Sequence, residues 1–136
     1  MTRAFLDTSG WFAALSPRES SHDAALATYR QWLERGVVLL TTNLVVAEMQ
    51  TLLCRYRGPK EGLRFLDSLY QDAGHQVVFV DRELERVAVD RWLRRFDDHP
   101  LSLADAVSVE VMRTHGIRTA LTLDSHFATA GFSVAP

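Results

Sequence analysis

The chain has 136 residues, of which 47% are hydrophobic and 24% are charged, and its formal net charge at pH 7 is -2. This composition excludes a disordered or fibrous chain, and the small negative charge excludes a general electrostatic attraction to nucleic acid. Any binding of nucleic acid would therefore require a local basic patch or metal ions. The length is close to the common size of one domain, so we expect a single domain over residues 1–136.

The cellular location is predicted from features that the sequence lacks. The only cysteine, Cys54, excludes an intramolecular disulfide, which fits a reducing compartment. No apolar run approaches the about 20 residues that cross a bilayer, and the first residues lead directly into a predicted strand. We therefore expect no membrane segment, no signal peptide and a cytoplasmic location.

Apolar runs alternate along the chain with segments of helical periodicity, a pattern typical of βαβ units around a parallel sheet. The sequence predicts strands over residues 3–7, 37–41, 76–80 and 119–123, and a short fifth strand near 132–134. It predicts a helix that begins after Thr8 and Ser9 and ends at residue 15, and further helices over 22–35, 43–57, 60–72, 82–96 and 102–115, with Asn43 as the cap of the third helix. These elements predict an α/β fold in which helices flank a central, mostly parallel sheet of four to five strands.

Two of the predicted strands end in aspartate. Asp7 follows the apolar residues 4–6, and Asp124 follows residues 120–123. Open α/β sheets bind ligands outside the carboxyl ends of their strands, so both carboxylates are predicted to point toward one place. Each aspartate could instead cap the helix that follows it. Capping would be the default for one such strand, but two of them in one small domain favour a shared functional site.

Glu48 is an acid within an apolar stripe of a predicted helix. At helical spacing its neighbours include Leu44, Val45 and Leu52, so we expect its carboxylate to be buried. A buried carboxylate is costly unless it has a partner. The partner would be either a metal ion or an arginine in an internal ion pair.

Asp105 lies in the first turn of the last long predicted helix. The spacing Ser102-x-x-Asp105 before an apolar run resembles a capping box, in which the acid bonds to the amide of the cap residue. This role alone would explain the residue. Capping does not exclude metal coordination by the second carboxylate oxygen, so both roles stay open.

Four carboxylates that converge on one place repel one another unless a cation neutralises them. Mg²⁺ and Mn²⁺ prefer oxygen ligands, and sites with one or two such ions hydrolyse phosphodiester bonds. Other catalytic motifs are missing, because the sequence has no Gly-rich phosphate loop, no G-x-S-x-G elbow and no H-E-x-x-H motif. The five histidines are scattered and form no recognisable zinc set with the lone cysteine.

These acids lie in four short segments that together match a known family. The segments are residues 5–9 (FLDTS), 43–48 (NLVVAE), 101–106 (LSLADA) and 121–127 (LTLDSHF). In their order and spacing the chain resembles the PIN-domain ribonucleases, and most closely the bacterial VapC-type toxins. The resemblance covers essentially the whole chain.

The resemblance implies a three-layer PIN-like sandwich and an endoribonuclease that depends on Mg²⁺ or Mn²⁺. It implies that four acids are the catalytic metal ligands: Asp7, Glu48, Asp105 and Asp124. Four polar neighbours would support them: Thr8, Ser9, Ser102 and Thr122. Some relatives carry an extra acid where this chain has Ser125 and His126, so a complete second metal site is not implied.

The resemblance also implies an RNA substrate, a cognate antitoxin and a homodimer, so a toxin is the leading interpretation. Two alternatives keep the same fold: a housekeeping PIN nuclease in RNA processing, or a non-catalytic module that binds RNA or protein. A further alternative is an unrelated α/β domain whose acids are caps and ion pairs. The residues proposed to contact substrate phosphates are arginines: Arg55, Arg57, Arg94 and Arg95.

Overall fold

Five strands form the centre of the molecule: β1 (Arg3–Leu6), β2 (Val38–Thr42), β3 (His75–Val78), β4 (Thr119–Leu121) and β5 (Ser133–Ala135). In the computed structural model, which describes residues 1–136, they form one sheet in the order β3-β2-β1-β4-β5. Every neighbouring pair is parallel. The predicted α/β class is confirmed, and each strand lies within two residues of its predicted position.

The helices are α1 (Thr8–Leu15), α2 (His22–Glu34), α3 (Asn43–Arg57), α4 (Pro59–Leu69), α5 (Arg82–Ala88), α6 (Leu103–Thr114) and α7 (His126–Thr129). Helix α5 continues into a π-helical turn over Val89–Leu93, so the predicted helix over 82–96 changes its winding and ends early. No range was predicted for helix α7, because four residues are too few to show a helical period. None of the helices is both long enough and apolar enough to cross a membrane.

The helices pack in two groups. Helices α1 to α4 contact one another, whereas α5 and its π-helical turn contact α6. The chain passes from β1 to β2 to β3 in one direction along the sheet and then crosses back to β4. Because crossovers between parallel strands are right-handed, the two groups of helices lie on opposite faces of the sheet. This is the three-layer sandwich that the resemblance implied.

The central strands are buried on both faces. Phe5 and Leu6 of β1 and Leu39 and Leu40 of β2 are fully buried, within a core cluster of 28 residues. Continuous apolar strands of this kind are expected when helices cover both faces of a parallel sheet.

Strands β1 and β4 lie side by side where the strand order reverses, and ligands bind at such points in α/β sheets. Helix α1 begins close against the end of β4, since a Cβ atom added to Gly10 would lie 2.4 Å from the carbonyl oxygen of Leu121. Only glycine permits this approach. It brings the residues that follow β1 next to those that follow β4.

The cap of α3 differs from the prediction. The side chain of Thr42 accepts a hydrogen bond from the Val45 amide at 3.3 Å, so Thr42 and not Asn43 caps the helix. Asn43 instead accepts a hydrogen bond from the Val80 amide at 2.8 Å. The amide side chain therefore ties the start of α3 to the segment after β3, a contact between residues that are distant in sequence.

Candidate active site

Asp7 is the most buried of the four predicted acids. It follows β1 directly and is 6% exposed. Its Oδ2 atom accepts hydrogen bonds from the Thr122 hydroxyl at 2.7 Å and the Ser9 hydroxyl at 3.0 Å. Burial raises the pKa of Asp7 to about 6, although the two hydroxyls lower it, and the nearby charge of Asp105 raises it further. The Asp7 side chain makes no cap bond to α1, so capping does not explain this residue.

The two hydroxyls join the ends of β1 and β4. Ser9 and Thr122 lie 3.2 Å apart, and each also accepts a backbone hydrogen bond. The Leu123 amide donates to Ser9 Oγ at 2.9 Å, and the Asp124 amide donates to Thr122 Oγ1 at 3.0 Å. The structure thus brings Ser9 and Thr122 to Asp7 and fixes the loop that carries Asp124. Thr8 contributes through its backbone, whose hydrogen bond lowers the pKa of Asp7.

Asp105 lies in the first turn of α6, and the predicted capping box is present. Its Oδ2 atom accepts from the Ser102 amide at 3.3 Å, and the Ser102 hydroxyl accepts from the Asp105 amide at 3.0 Å. The Oδ1 atom makes no hydrogen bond in the protein. Ser102 therefore orients Asp105 and leaves one carboxylate oxygen available for a ligand.

Asp124 lies next to His126, and it is not the cap of α7, because the cap residue is Ser125 and no side chain caps this helix. The Asp124 Oδ1 atom accepts a hydrogen bond from the backbone amide of His126 at 3.0 Å, at the start of α7. The ring atom Nε2 of His126 lies 3.4 Å from the same oxygen. Asp105, Asp124 and His126 each offer a ligand atom, and these atoms all lie within 4.8 Å of one another. This is a set of donors that a metal ion could bind.

The expected burial of Glu48 is wrong. Glu48 is exposed, and its carboxylate makes no hydrogen bond or ion pair. The buried face of α3 is formed by Val45, Val46, Met49 and Leu53. Because successive helical residues are about 100° apart, Glu48 lies beside this face and not within it. The structure does not group its carboxylate with those of Asp105 and Asp124, so its role as a ligand stays a prediction.

The buried glutamate of this protein is Glu110, which the sequence pattern did not single out. It is 1% exposed and accepts hydrogen bonds from Trp92 at 3.0 Å and from Arg113 at 3.1 and 2.7 Å. Arg91 lies 3.3 Å away. Burial acts to raise the pKa of Glu110, but these partners hold it below its ordinary value. The signal in the sequence was the position of Glu110 between Val109 and Val111, with Arg113 three residues later on the same helix.

Two of the four arginines proposed for phosphate binding are engaged within the protein. Arg94 pairs with Asp90 at 2.9 Å, and Arg57 donates to the carbonyl of Leu15 at 2.9 Å. Arg55 is exposed, and Arg95 lies over the Phe96 ring at 5.4 Å. Arg55 and Arg95 thus keep their guanidinium groups free of hydrogen bonds.

A groove of about 800 Å³ opens beside the site. Ser9 and Leu123 line its end nearest the acids, Tyr56 lines its α3 side, and Arg18 and Glu19 lie on the connection between α1 and α2. The groove is mixed in character, with apolar and aromatic surface next to charges of both signs. None of the four predicted acids lines the groove itself.

The fold and the site together define an α/β domain with an acid-lined site suited to a divalent cation. The model of the PIN domain family matches residues 4–133, and the chain belongs to the PIN domain family. The predicted resemblance is therefore confirmed.

Among its relatives, the chain is 34% identical to the 23S rRNA-specific endonuclease VapC20 of Mycobacterium tuberculosis, over 128 residues and 94% of each protein. The crystal structure of VapC20, described as a toxin that cleaves the sarcin-ricin loop, superposes with a TM-score of 0.83 and covers 98% of this chain and 99% of that one.

Two more distant structures share the fold. FitAcB from Neisseria gonorrhoeae has a TM-score of 0.68 at 19% identity, covering 98% of this chain and 96% of that one. VapBC2 from Rickettsia felis, bound to a DNA fragment from its promoter, has a TM-score of 0.70 at 11% identity, covering 97% of this chain and 96% of that one.

Proposed function

We propose that this chain is a metal-dependent endoribonuclease, the toxin of a toxin–antitoxin pair, with 23S rRNA as the first substrate to test. The observation that carries the proposal is the cluster of Asp105 and Asp124 with His126 within 4.8 Å, beside the buried Asp7, whose pKa is raised by burial and, further, by the charge of Asp105. It occurs in a chain that is 34% identical to a 23S rRNA-specific endonuclease over 94% of its length.

The charges of the site support a cation. No arginine or lysine forms an ion pair with any of the four predicted acids, whereas the structural acid Glu110 has two arginine partners. The pKa of Asp7 is raised to about 6 by burial and, further, by the charge of Asp105. A bound divalent cation would offset both effects. Carboxylate oxygens are the ligands that Mg²⁺ and Mn²⁺ prefer, so these residues fit such an ion.

We assign the ligand roles to Asp7, Asp105 and Asp124, with Glu48 as a further ligand or as a residue that orients water. A divalent ion held there would supply Lewis-acid activation of the scissile phosphate and of the attacking water. Ser9 and Thr122 hold the Asp7 carboxylate in one orientation, and Ser102 does the same for Asp105. Because ligands bind metal in the deprotonated form, Asp7 must release its proton before it binds the ion.

Purified protein incubated with total bacterial RNA tests this activity. We expect cuts at a small number of sites, including 23S rRNA, with Mg²⁺ or Mn²⁺ and none with EDTA, as mapped from the new RNA ends. Asp7→Asn should lower the rate by at least about a hundredfold, while Asp67→Asn, on the exposed side of α4, should leave it unchanged. RNA that stays intact with both metals, or cleavage that continues in EDTA, would refute the proposal.

Growth of the host separates a toxin from a housekeeping nuclease. Induced expression of the wild-type chain should arrest growth, and co-expression of a small neighbouring antitoxin gene should restore it. Normal growth at a level of protein that cleaves RNA in the lysate would favour a role in RNA processing. Asp7→Asn is the control, because it should be harmless at equal abundance.

We also propose that the protein acts in the cytoplasm as a homodimer. The surface carries exposed apolar side chains that a monomer would leave in water, including Tyr70, which is 58% exposed, and Phe79, which is 65% exposed. Their rings stack with centroids 6.4 Å apart. Light scattering should give twice the mass of the chain, and a monomer at micromolar concentration would refute this part.

A further inference from the structure

We propose that His126 provides an imidazole ligand to the metal ion of this site, together with Asp105 and Asp124, and that this nitrogen makes the site favour Mn²⁺ over Mg²⁺. The inference rests on the proposed metal-dependent function and adds to it a ligand that is not a carboxylate. It also gives a role to a position where the resemblance implied no ligand.

The distances suit one ion. At bond lengths of about 2.1 Å, two ligand atoms of an octahedral ion lie roughly 3 Å apart when adjacent and roughly 4.2 Å apart when opposite. The Nε2 atom of His126 is 3.4 Å from Asp124 Oδ1, which is close to the adjacent spacing. All three donors lie within 4.8 Å of one another, so rotations of these side chains would bring them to bonding positions around one ion.

The backbone holds the imidazole at this place. His126 is the first residue of α7, and its amide is bound to Asp124 Oδ1 at 3.0 Å. The next residue, Phe127, is fully buried and packs on Phe5 of the central strand with ring centroids 6.3 Å apart. The His126 side chain is 22% exposed, so it is restricted by its surroundings but open to an ion from solvent.

Each of the three residues keeps a donor atom available for an ion. Asp105 Oδ1 and the ring nitrogens of His126 make no hydrogen bond, and Asp124 Oδ1 accepts only from the His126 amide, which leaves it a second lone pair for an ion. An alternative is that His126 only forms an ion pair with Asp124. The two alternatives predict opposite changes in metal affinity when His126 is replaced. If His126 is only an ion-pair partner, its removal frees Asp124 and strengthens metal binding. If His126 is a ligand, its removal weakens metal binding.

The metal preference follows from the chemistry of the donor. Mg²⁺ binds oxygen almost exclusively, whereas Mn²⁺ is a first-row transition metal that also accepts imidazole nitrogen, although it binds it more weakly than Fe²⁺ to Zn²⁺ do. Loss of the His126 ring should therefore weaken Mn²⁺ binding by about tenfold or more. It should change Mg²⁺ binding by less than about threefold, since water replaces the imidazole at little cost.

The test is electron spin echo spectroscopy of Mn²⁺ bound to the purified full-length protein. We expect echo modulation from a directly coordinated ¹⁴N nucleus, which changes to the ¹⁵N pattern when the histidines are ¹⁵N-labelled. His126→Asn and His126→Gln should both remove this modulation. His99→Asn is the matched control, because His99 lines the same small cleft as His126 but is not one of the three clustered donors. Calorimetric titration with Mn²⁺ and Mg²⁺ gives the two affinities.

The outcomes separate this inference from the proposed function. Nitrogen modulation in the wild type that only the His126 variants remove supports the ligand. Two results would refute the role of His126 as a ligand: Mn²⁺ binding to the wild type without histidine modulation, or Mn²⁺ binding to the His126 variants as tightly as to the wild type or more tightly. Either result leaves the proposed metal-dependent nuclease in place. Absence of Mn²⁺ and Mg²⁺ binding overturns both. Because the wild-type spectrum needs no variant, it tests the ligand even where a variant fails to fold.

Discussion

Replacing Asp7 by Asn should stabilise the metal-free protein at pH 8 while it removes the proposed activity. In the folded protein, burial raises the pKa of Asp7 from 3.8 to about 6. Between these values the folded state holds a proton that the unfolded chain has released. The free energy of unfolding therefore decreases as the pH rises from about 4 to about 6 and stays lower above that range.

The size of the effect follows from this difference in pKa. The gap between 3.8 and about 6 corresponds to about 3 kcal/mol, at about 1.4 kcal/mol per pH unit. Asn has no charge to bury and can still accept a hydrogen bond from Thr122 through its amide oxygen. We expect the free energy of unfolding of Asp7→Asn to exceed that of the wild type by up to about 3 kcal/mol at pH 8. Near pH 4 the difference should be close to zero.

Urea unfolding in EDTA, followed by circular dichroism at several pH values, measures this difference. Asp67→Asn is the control, since Asp67 is exposed on α4 and should show no such pH dependence. Adding Mg²⁺ should stabilise the wild type and not Asp7→Asn. A variant that is less stable than the wild type at pH 8, or a difference that does not change with pH, would refute the reasoning.

Three further substitutions test other parts of the structure. Thr122→Val removes the hydroxyl that donates to Asp7 at 2.7 Å, so it should raise the pKa of Asp7 and weaken Mg²⁺ binding about tenfold, measured as the Mg²⁺ dependence of cleavage. Gly10→Ala forces a contact 2.4 Å from the Leu121 carbonyl oxygen and should lower the free energy of unfolding by about 1 to 3 kcal/mol in urea. Glu110→Gln weakens the buried pairing with arginine and should lower it by about 1 to 3 kcal/mol while Mg²⁺ affinity stays the same, as measured by calorimetry.

Each of these substitutions has a control in the same region. Thr119→Val changes a threonine of β4 that makes no side-chain hydrogen bond, so equal losses at both threonines would contradict a specific role for Thr122. In Gly62→Ala the added Cβ atom would have its nearest neighbour at 3.2 Å, so this variant should lower the free energy of unfolding less than Gly10→Ala. A loss of Mg²⁺ binding in Glu110→Gln would contradict a purely structural role for that residue.

The sheet was predictable because strand signals are local. Short apolar runs between segments of helical periodicity identify the strands, and the alternation of strands and helices then favours a parallel sheet. The position of Asp7 and Asp124 also follows from local sequence, since Asp7 comes directly after β1 and Asp124 comes three residues after the end of β4. The hydrogen bond between Ser9 and Thr122 could not be predicted in this way, because it joins residues that are 113 positions apart.

The burial of single helical residues was the least predictable feature. The apolar neighbours of Glu48 suggested a buried acid, but the core contacts α3 along Val45, Met49 and Leu53, about 100° away on the helix. Glu110 shows the reverse case, because a helix packed on two sides can bury an acid beside its own arginine partner. Periodicity gives the width of an apolar face, but only tertiary packing decides where that face is centred.

The four predicted acids differ in how far the protein fixes them before an ion binds. Asp7 is held by two hydroxyls, Asp105 by its capping box, and Asp124 by the amide of His126. Glu48 is exposed and must lose side-chain entropy if it binds the ion. The raised pKa of Asp7 means that burying its ionised carboxylate destabilises the folded protein. A cation bound at this point would offset that cost. A purely structural role for Asp7 would leave this cost uncompensated, so the energetics of Asp7 favour a functional site there.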